Sequence, residues 1–455
     1  MLKTRREFLG TTTATGVASA FCSRPALGLG GDVVVEPERR LHALSDCDLI
    51  VAGGGPAGVA AAVTAARKGR RVRLFEAHGA LGGIWTSGLL SCIIDFGRAD
   101  FAKDLIRRLD CAKARFPRRL KMSDANFIYD PERMKLVLED ICAEAGVEFH
   151  YHTSVVAAYR DVGGRRMSSV VTESKSGRCA WRAKAYMDCT GDGDLAALAG
   201  CGFDVGGVDR SDPDQPASLM ALVSLDADSG ISRFVINAPE AFSADGKPLC
   251  NPKKDLYAEL KRVGLEPSYA DPTLFKISDR LYAFMGNHEY GVKPYDEPGS
   301  TAATVRARKE VFAMVDALAE KGGAPWKGLR IVATAEQIGH RMARRIHGVY
   351  TMSVADAIAG RRFPDAVAEC RFGIDVHGVT REKNRVQAAG EPKGMRTKPY
   401  QIPFRACKSR DLDNLYMAGR CISGDFLSHA SYRVTGPAVE MGEGVVLKLI
   451  SEDII

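Results

Sequence analysis

Four groups of residues in this chain have types and spacings that can do chemistry. The run Gly53-Gly54-Gly55-Pro56-Ala57-Gly58 satisfies G-x-G-x-x-G, with the carboxylate of Glu76 downstream. That combination suits a dinucleotide, with backbone N–H groups for the pyrophosphate and a carboxylate for ribose hydroxyls. Arg341, Arg344 and Arg345 recur at i, i+3 and i+4, so on a helix they share a face and can clamp a carboxylate or another anion. The same pattern also suits a cluster of ion pairs between domains. His429 lies between Asp425 and Arg433. An imidazole titrates near pH ~6.5 and is the natural acid or base, although a loop histidine bonded to backbone reads the same way. Asp375 and His377 are two apart, which puts them on one face of a strand. Metal chemistry has little support. The twelve cysteines include no C-x-x-C pair, several sit in apolar runs as small buried hydrophobes, and no third ligand joins Asp375 and His377.

The elements that must position these groups are legible nearby. Asp48–Ala52 is a short apolar run with β-branched residues, the pattern of a buried parallel strand. The glycine run follows, then an Ala-rich helix over Val59–Lys68 closed by Gly69, then a strand over Arg71–Phe75 that delivers Glu76. Gly53 permits the tight strand-to-helix turn, Gly55 lets a pyrophosphate approach the backbone, and Gly58 lets helix and strand pack closely. A carboxylate at Glu76 repels a 2′-phosphate, which argues against NADP.

Further along, Asp130-Pro131 starts a helix running to Ala145 and ending at Gly146, which feeds a strand near Val147–His150. Ser300–Lys321 reads as a long helix, Ile331–Glu336 as a strand and Gln337–Ile346 as another helix. Asn414–Gly419 reads as a last buried strand, and Pro437–Ile450 as the final helix. Glycine is abundant, at 46 of 455 residues, and the net charge of +7 is spread without a long basic block. The charge suits an anionic cofactor or substrate and gives little support to nucleic acid.

Three later motifs narrow the dinucleotide. Gly79-Ala80-Leu81-Gly82-Gly83 follows Glu76 directly, Thr190-Gly191-Asp192 closes a strand-like segment, and Gly419-Arg420 closes the last strand. Together these resemble the glutathione-reductase-type flavoproteins, and within them a bacterial FAD-dependent oxidoreductase family related to the flavin-bearing part of heterodisulfide reductase. Arg341–Tyr350, Asp375-Val376-His377-Gly378, Ile402–Arg405 and Ala418–Ser423 are similar to that family as well. The resemblance implies FAD as cofactor. It implies that Gly82 and Gly83 run beside the flavin and its ribityl phosphate, that Thr153–Val155, Val155 included, meets the adenine through backbone, and that Thr190, Gly191, Asp192 and Gly419 border the cofactor. The family's last motif ends in Gly-Asp. Here Arg420 follows Gly419, so either Asp425 takes the acid's role or the ribityl is held otherwise. The final helix would point its N-terminus at the flavin pyrimidine, with His429 and Arg433 beside the isoalloxazine. The iron–sulfur clusters of some relatives are not carried over, because their cysteine runs are missing.

The expected fold class is α/β, a Rossmann-like FAD-binding domain of the glutathione-reductase type (46–200 and 406–455) with an inserted α+β substrate domain (201–405). Thr4-Arg5-Arg6-Glu7-Phe8-Leu9 resembles the twin-arginine export motif, and Ala18-Ser19-Ala20 suits signal peptidase, so residues 1–30 are expected to be a signal peptide and linker and the protein periplasmic or exported. The apolar stretch there is too short for a membrane span. The expected function is an FAD-dependent dehydrogenase or oxidase of a small organic, anionic substrate, with His429, Arg433 and Arg341 as its chemical residues. A second complete glycine fingerprint for NAD(P)H is missing, which favours a redox partner, quinone or oxygen as electron acceptor. Two alternatives stay open, an FAD-containing electron-transfer subunit and a non-catalytic FAD-binding protein.

Overall fold

Leu49, Ile50, Val51 and Ala52 are all buried, consecutively rather than alternately. That is the signature of a strand covered on both faces. The strand, β1 (Ala43–Ala52), opens the fold in a computed structural model that describes residues 38–208, 213–226, 230–387 and 389–455. The twin-arginine segment lies outside the described residues. The helix α1 (Pro56–Arg67) follows, then β2 (Val72–Phe75).

β1 is the third strand of a seven-stranded sheet and pairs in parallel with β2 and with the long strand Gly177–Asp188. Glu148–His150 extends the sheet beyond β2, and Ser154–Arg160 and Met167–Ser174 complete the other side as an antiparallel meander. Leu415–Met417 returns from far along the chain to pair in parallel with Gly177–Asp188. The register matters most for the site. Ala52 is opposite Phe75 and Asp188, and Met417 is also opposite Asp188. Four strands therefore end level, and the residues that follow (Gly53, Glu76, Thr190 and Gly419) emerge along one carboxyl-terminal edge, where open α/β sheets bind ligands.

Helix positions follow local chemistry. Pro131–Ala145 is capped by Asp130, whose carboxylate accepts from the Glu132 and Arg133 N–H groups, and it ends at Gly146 with φ +78°. Such a cap contributes about 1 kcal/mol. The final helix, Thr435–Ser451, lies against α1, because Gly442 brings its backbone onto the Ala57 carbonyl with no room for a side chain.

A second sheet, antiparallel, has the order Thr273–Ser278, Leu281–Met285, Ala221–Ser224, Arg330–Thr334. The helix Glu297–Lys321 packs on it through Val311, Met314, Val315 and Leu318, in a core shared with Phe234 and Trp326. Another face of this region shares a core with Leu89, Cys92 and Ile128 from the first part of the chain. Residues 345–405 behave differently. Ile346, Met352, Cys370, Tyr400 and Ile402 belong to the first core, and the Glu369 N–H donates to Glu440 Oε2 of the final helix.

Three local expectations are corrected. Gln337–Ile346 is not a helix; most of it is irregular and Arg345–Ile346 pairs with Phe203–Asp204. The three arginines diverge instead of sharing a face. Arg341 donates to the Pro216 carbonyl and Ser218 Oγ, Arg344 to the Asp192 carbonyl and Asp194, and Arg345 to the Gly424 and Gly206 carbonyls. Each satisfies a different segment, which one helical face cannot do. Asp375–His377 is irregular rather than a strand. Asp425 starts a short helix, Phe426–Tyr432.

Candidate functional site

A cavity of about 670 Å³ opens along the level strand ends. At one end, Gly53, Gly55, Pro56 and Ala57 line it. α1 starts there with Gly55 as its N-cap and no side-chain cap, so its first N–H groups are left for a ligand. A Cβ built on Gly55 meets nothing within 4 Å, so this part of the wall is backbone bordering open space. Gly58 and Gly82 do not line the cavity; they shape its wall. Gly58 packs on the Gly53 carbonyl, and the Gly82 N–H donates to the Gly54 carbonyl at 2.8 Å. Gly83 does line it, with φ +52° and its Cα face against Gly55.

Glu76 lines the cavity at the end of β2. Its two carboxylate oxygens accept from the Gly54 and His78 N–H groups, each at 2.8 Å. Each keeps a lone pair for a ribose hydroxyl. Thr153 and Val155 extend the wall beyond it. On the other side Thr190, Gly191 and Asp192 line the cavity. Asp188 fixes that turn by accepting from the Thr190 N–H and hydroxyl, and the Asp194 N–H donates to Thr190 Oγ1. Gly419 and Arg420 come next, and Val434, Thr435 and Ala438 bring the start of the final helix to the same space. That helix also lacks a side-chain cap. Two free helix N-termini, a backbone-only wall and a carboxylate at the adenosine end fit a dinucleotide bearing a flavin.

Two sequence candidates lie elsewhere. Asp425 is outside the cavity lining. It caps the helix Phe426–Tyr432 by accepting from the Ser428 N–H at 2.7 Å, and its other oxygen accepts from the Val354 N–H at 2.7 Å. Because it lies outside the lining, Asp425 does not reach the position of the acid missing after Gly419. Arg420 occupies that position, donating to the His340 carbonyl at 2.9 Å and lying 3.0 Å from Asp192 Oδ1. His429 is fully buried and also outside the lining, because the helix turns its ring inward against Tyr432. Burial and then the Arg345 cation hold it well below the ordinary imidazole range.

The other end of the cavity is basic. Arg118, Lys253, Arg341 and Arg433 line it, with Tyr269, Asp375 and His377. Arg341 and Arg433 were legible in the sequence, whereas Arg118, Lys253 and Tyr269 sit in irregular segments or at a helix start with no motif to mark them. Arg341 has no ion-pair partner among the described residues; burial, then Arg433, lowers it to about 10, so it remains a cation at neutral pH. Arg433 instead donates to the Asp375 carbonyl and carboxylate at 2.9 and 3.1 Å. Burial lowers Lys253 as well, opposed by Asp271. His340 is brought to about 4 by burial and the Arg420 cation, and is neutral at neutral pH.

The profile of the family described as FAD dependent oxidoreductase matches residues 48–447. The alpha chain of the sarcosine oxidase of Rhizobium meliloti (strain 1021) is 40% identical over 82 residues, which are 18% of this chain and 8% of that protein. The chain thus matches less than a tenth of that relative's length. Among solved structures, a geranylgeranyl bacteriochlorophyll reductase-like protein from Thermoplasma acidophilum aligns with 91% of this chain and 80% of its own, at 12% identity and a TM-score of 0.47. The p-nitrophenol 4-monooxygenase of Pseudomonas putida DLL-E4 aligns with 67% of this chain and 70% of its own, at 14% identity and a TM-score of 0.38.

Proposed function

The chain belongs to the FAD dependent oxidoreductase family, and from that premise we propose that it is an exported dehydrogenase or oxidase of a small organic substrate bound as an anion. Bound FAD supplies a two-electron oxidant. The chain's own residues do the rest. Gly53, Gly55 and the start of α1 would hold the pyrophosphate, and Glu76 the ribose. Thr190, Asp192, Gly419 and Arg420 would border the ribityl and flavin, as in the glutathione-reductase type. The free N-terminus of Thr435–Ser451 would favour negative charge on the ring.

The observation that carries the substrate reading is Arg341, a cation in the cavity wall with no carboxylate partner among the described residues. A carboxylate delivered by a substrate would supply that partner with two parallel hydrogen bonds. Arg118 and Lys253 add to the positive field. A screen for bleaching of the oxidised flavin band tests this reading. Carboxylate-bearing alcohols and amines are expected to bleach the flavin, and their methyl esters to need about 100-fold higher concentration, the worth of one enclosed charge pair. Equal potency of acids and esters would sink the anionic reading.

Export is supported by Arg5-Arg6 within Thr4–Leu9 and by Ala18-Ser19-Ala20. Changing Arg5-Arg6 to Lys-Lys is expected to leave the precursor in the cytoplasm with no mature protein outside, read by fractionation. Mature protein outside the cytoplasm would remove the twin-arginine reading. A second reading, an FAD-containing subunit that hands electrons to a partner or quinone, is favoured by the short match to one chain of a sarcosine oxidase.

A further inference from the structure

The basic end of the cavity carries more positive charge than one anion can match. Arg118, Lys253, Arg341 and Arg433 line it, and Asp375 is the carboxylate in the wall beside them. Arg433 is already paired with Asp375, at 3.1 Å. Lys253 Nζ stands 3.9 Å from Asp271 Oδ2, which is long for an ion pair, and Lys254 lies closer to that carboxylate, 3.1 Å from Oδ1. Arg118 and Arg341 have no ion-pair partner among the described residues. Guanidinium groups stay charged at neutral pH. Two full cations and part of a third therefore face one space.

These cations occupy two places. Both hydrogen bonds of Arg341 leave from Nη1, to the Pro216 carbonyl and Ser218 Oγ, so Nη2 and Nε remain for a ligand. Burial raises the Tyr269 phenol, and the first charge to oppose it is that of Arg341, which sets this guanidinium beside Tyr269. Arg118 comes from another segment, directly after the strand Arg115–Pro117, and Lys253 from the first turn of the helix Pro252–Arg262. Burial pushes the Cys92 thiol up, and the charges that oppose it are those of Arg118 and Lys253. Both cations therefore converge on one spot of the wall, which Cys92 also lines. A thiol is a weak acceptor, and Arg118 Nε is enclosed there without a hydrogen-bond partner. The Arg118 side chain is otherwise half-buried, and its terminal nitrogens, which are not among the enclosed atoms, face the cavity. Ile236, Phe275 and Met285 line the same space and suit a short carbon chain.

We propose that the substrate is a dicarboxylate, with one carboxylate seated on Arg341 and the other on Arg118 and Lys253. This rests on the reading of Arg341 as the anion anchor. A monoanion on Arg341 would clear water from the cavity and leave Arg118 without a partner, and an enclosed cation stripped of water is unfavourable. A second carboxylate supplies the missing acceptor, and the terminal nitrogens of Arg118 can meet it with two parallel hydrogen bonds. Two separate seats favour charge at both ends of a molecule over two charges on one centre. Fixing both ends also orients the chain between them, so the bond to be oxidised is presented to the flavin one way round.

Succinate, glutarate and adipate test this against butyrate, valerate and hexanoate, their monoacids of equal chain length. Each is titrated calorimetrically into the FAD-loaded protein at neutral pH, where carboxylates are ionised. At least one diacid is expected to bind about 10-fold or more tighter than its monoacid, the effect of a second enclosed charge pair. Sulfate, with both charges on one centre, should bind more weakly than that diacid. Arg118→Met should erase the diacid's advantage with flavin content unchanged, Lys253→Met should reduce it, and Arg118→Lys should keep part of it. Arg341→Met should weaken diacid and monoacid alike. The second seat is overturned, with the Arg341 anchor left standing, by any of four results: no diacid ahead of its monoacid, sulfate equal to the best diacid, an advantage that survives both Arg118→Met and Lys253→Met, or loss of flavin from Arg118→Met. Equal binding of every probe by wild type and Arg341→Met, or no binding of any probe, would remove anchor and second seat together.

Discussion

Gly55→Ala is expected to give a folded protein that no longer retains FAD. The new Cβ meets no protein atom within 4 Å, and Gly55 has φ −71°, which alanine adopts freely. Nothing in the fold resists the change, and the melting temperature of the flavin-free protein should stay within a degree or two of wild-type apoprotein. The methyl group instead occupies the space into which the backbone must let a pyrophosphate approach. Losing that approach and the free N–H groups of α1 should lower flavin content at purification to about a tenth or less, the effect of ~1–3 kcal/mol of overpacking at a close contact. Gly58→Ala separates the two roles of the turn. Its Cβ would lie inside the Gly53 carbonyl oxygen and 3.1 Å from Cys189 Cβ. Gly53 sits at φ +95° against Cys189 and cannot retreat. Gly58→Ala should therefore lose flavin and stability together. Visible absorbance with thermal melts reads both variants. Full flavin content in Gly55→Ala would mean the cofactor does not cross the cavity at this point.

Arg341→Met should raise the KM for the anionic substrate by about 100-fold or more and leave kcat far less changed. Truncating one partner of an enclosed charge pair costs about 2–5 kcal/mol. Lysine in its place keeps the charge but loses the planar fork, so Arg341→Lys should recover part of the binding. The melting temperature of Arg341→Met should not fall. An enclosed cation without an ion-pair partner among the described residues gains little toward folding, and its removal offsets the donors lost to Pro216 and Ser218. A large fall in stability with unchanged KM would make Arg341 a structural residue and end its role as anchor.

The glycine-lined end of the cavity was readable because its information is local. A strand, a glycine turn, a helix, a second strand and an acid lie in one continuous stretch from Asp48 to Glu76, and each part works through backbone geometry that neighbouring residues dictate. The second half of that end, Thr190–Asp192 and Gly419–Arg420, lies far along the chain but carries recognisable strand-end glycines. The level register of four parallel strands brings these pieces to one edge.

The basic end of the cavity was not readable in the same way. His429 and Asp425 have the residue types for proton handling and ribityl binding, yet a short helix turns one inward and uses the other as its cap. Arg341, Arg344 and Arg345 have helical spacing, yet each follows carbonyls on a different segment. His377 acquires its tautomer from Asp375 and its charge environment from Arg341, while Gln215 Oε1 holds its backbone N–H. Sequence alone determined that this chain builds an FAD-type dinucleotide cradle, because backbone conformation is set by adjacent residues. Only the tertiary structure decided which ionisable side chains face the cavity, because burial and charge come from segments that meet only in the fold.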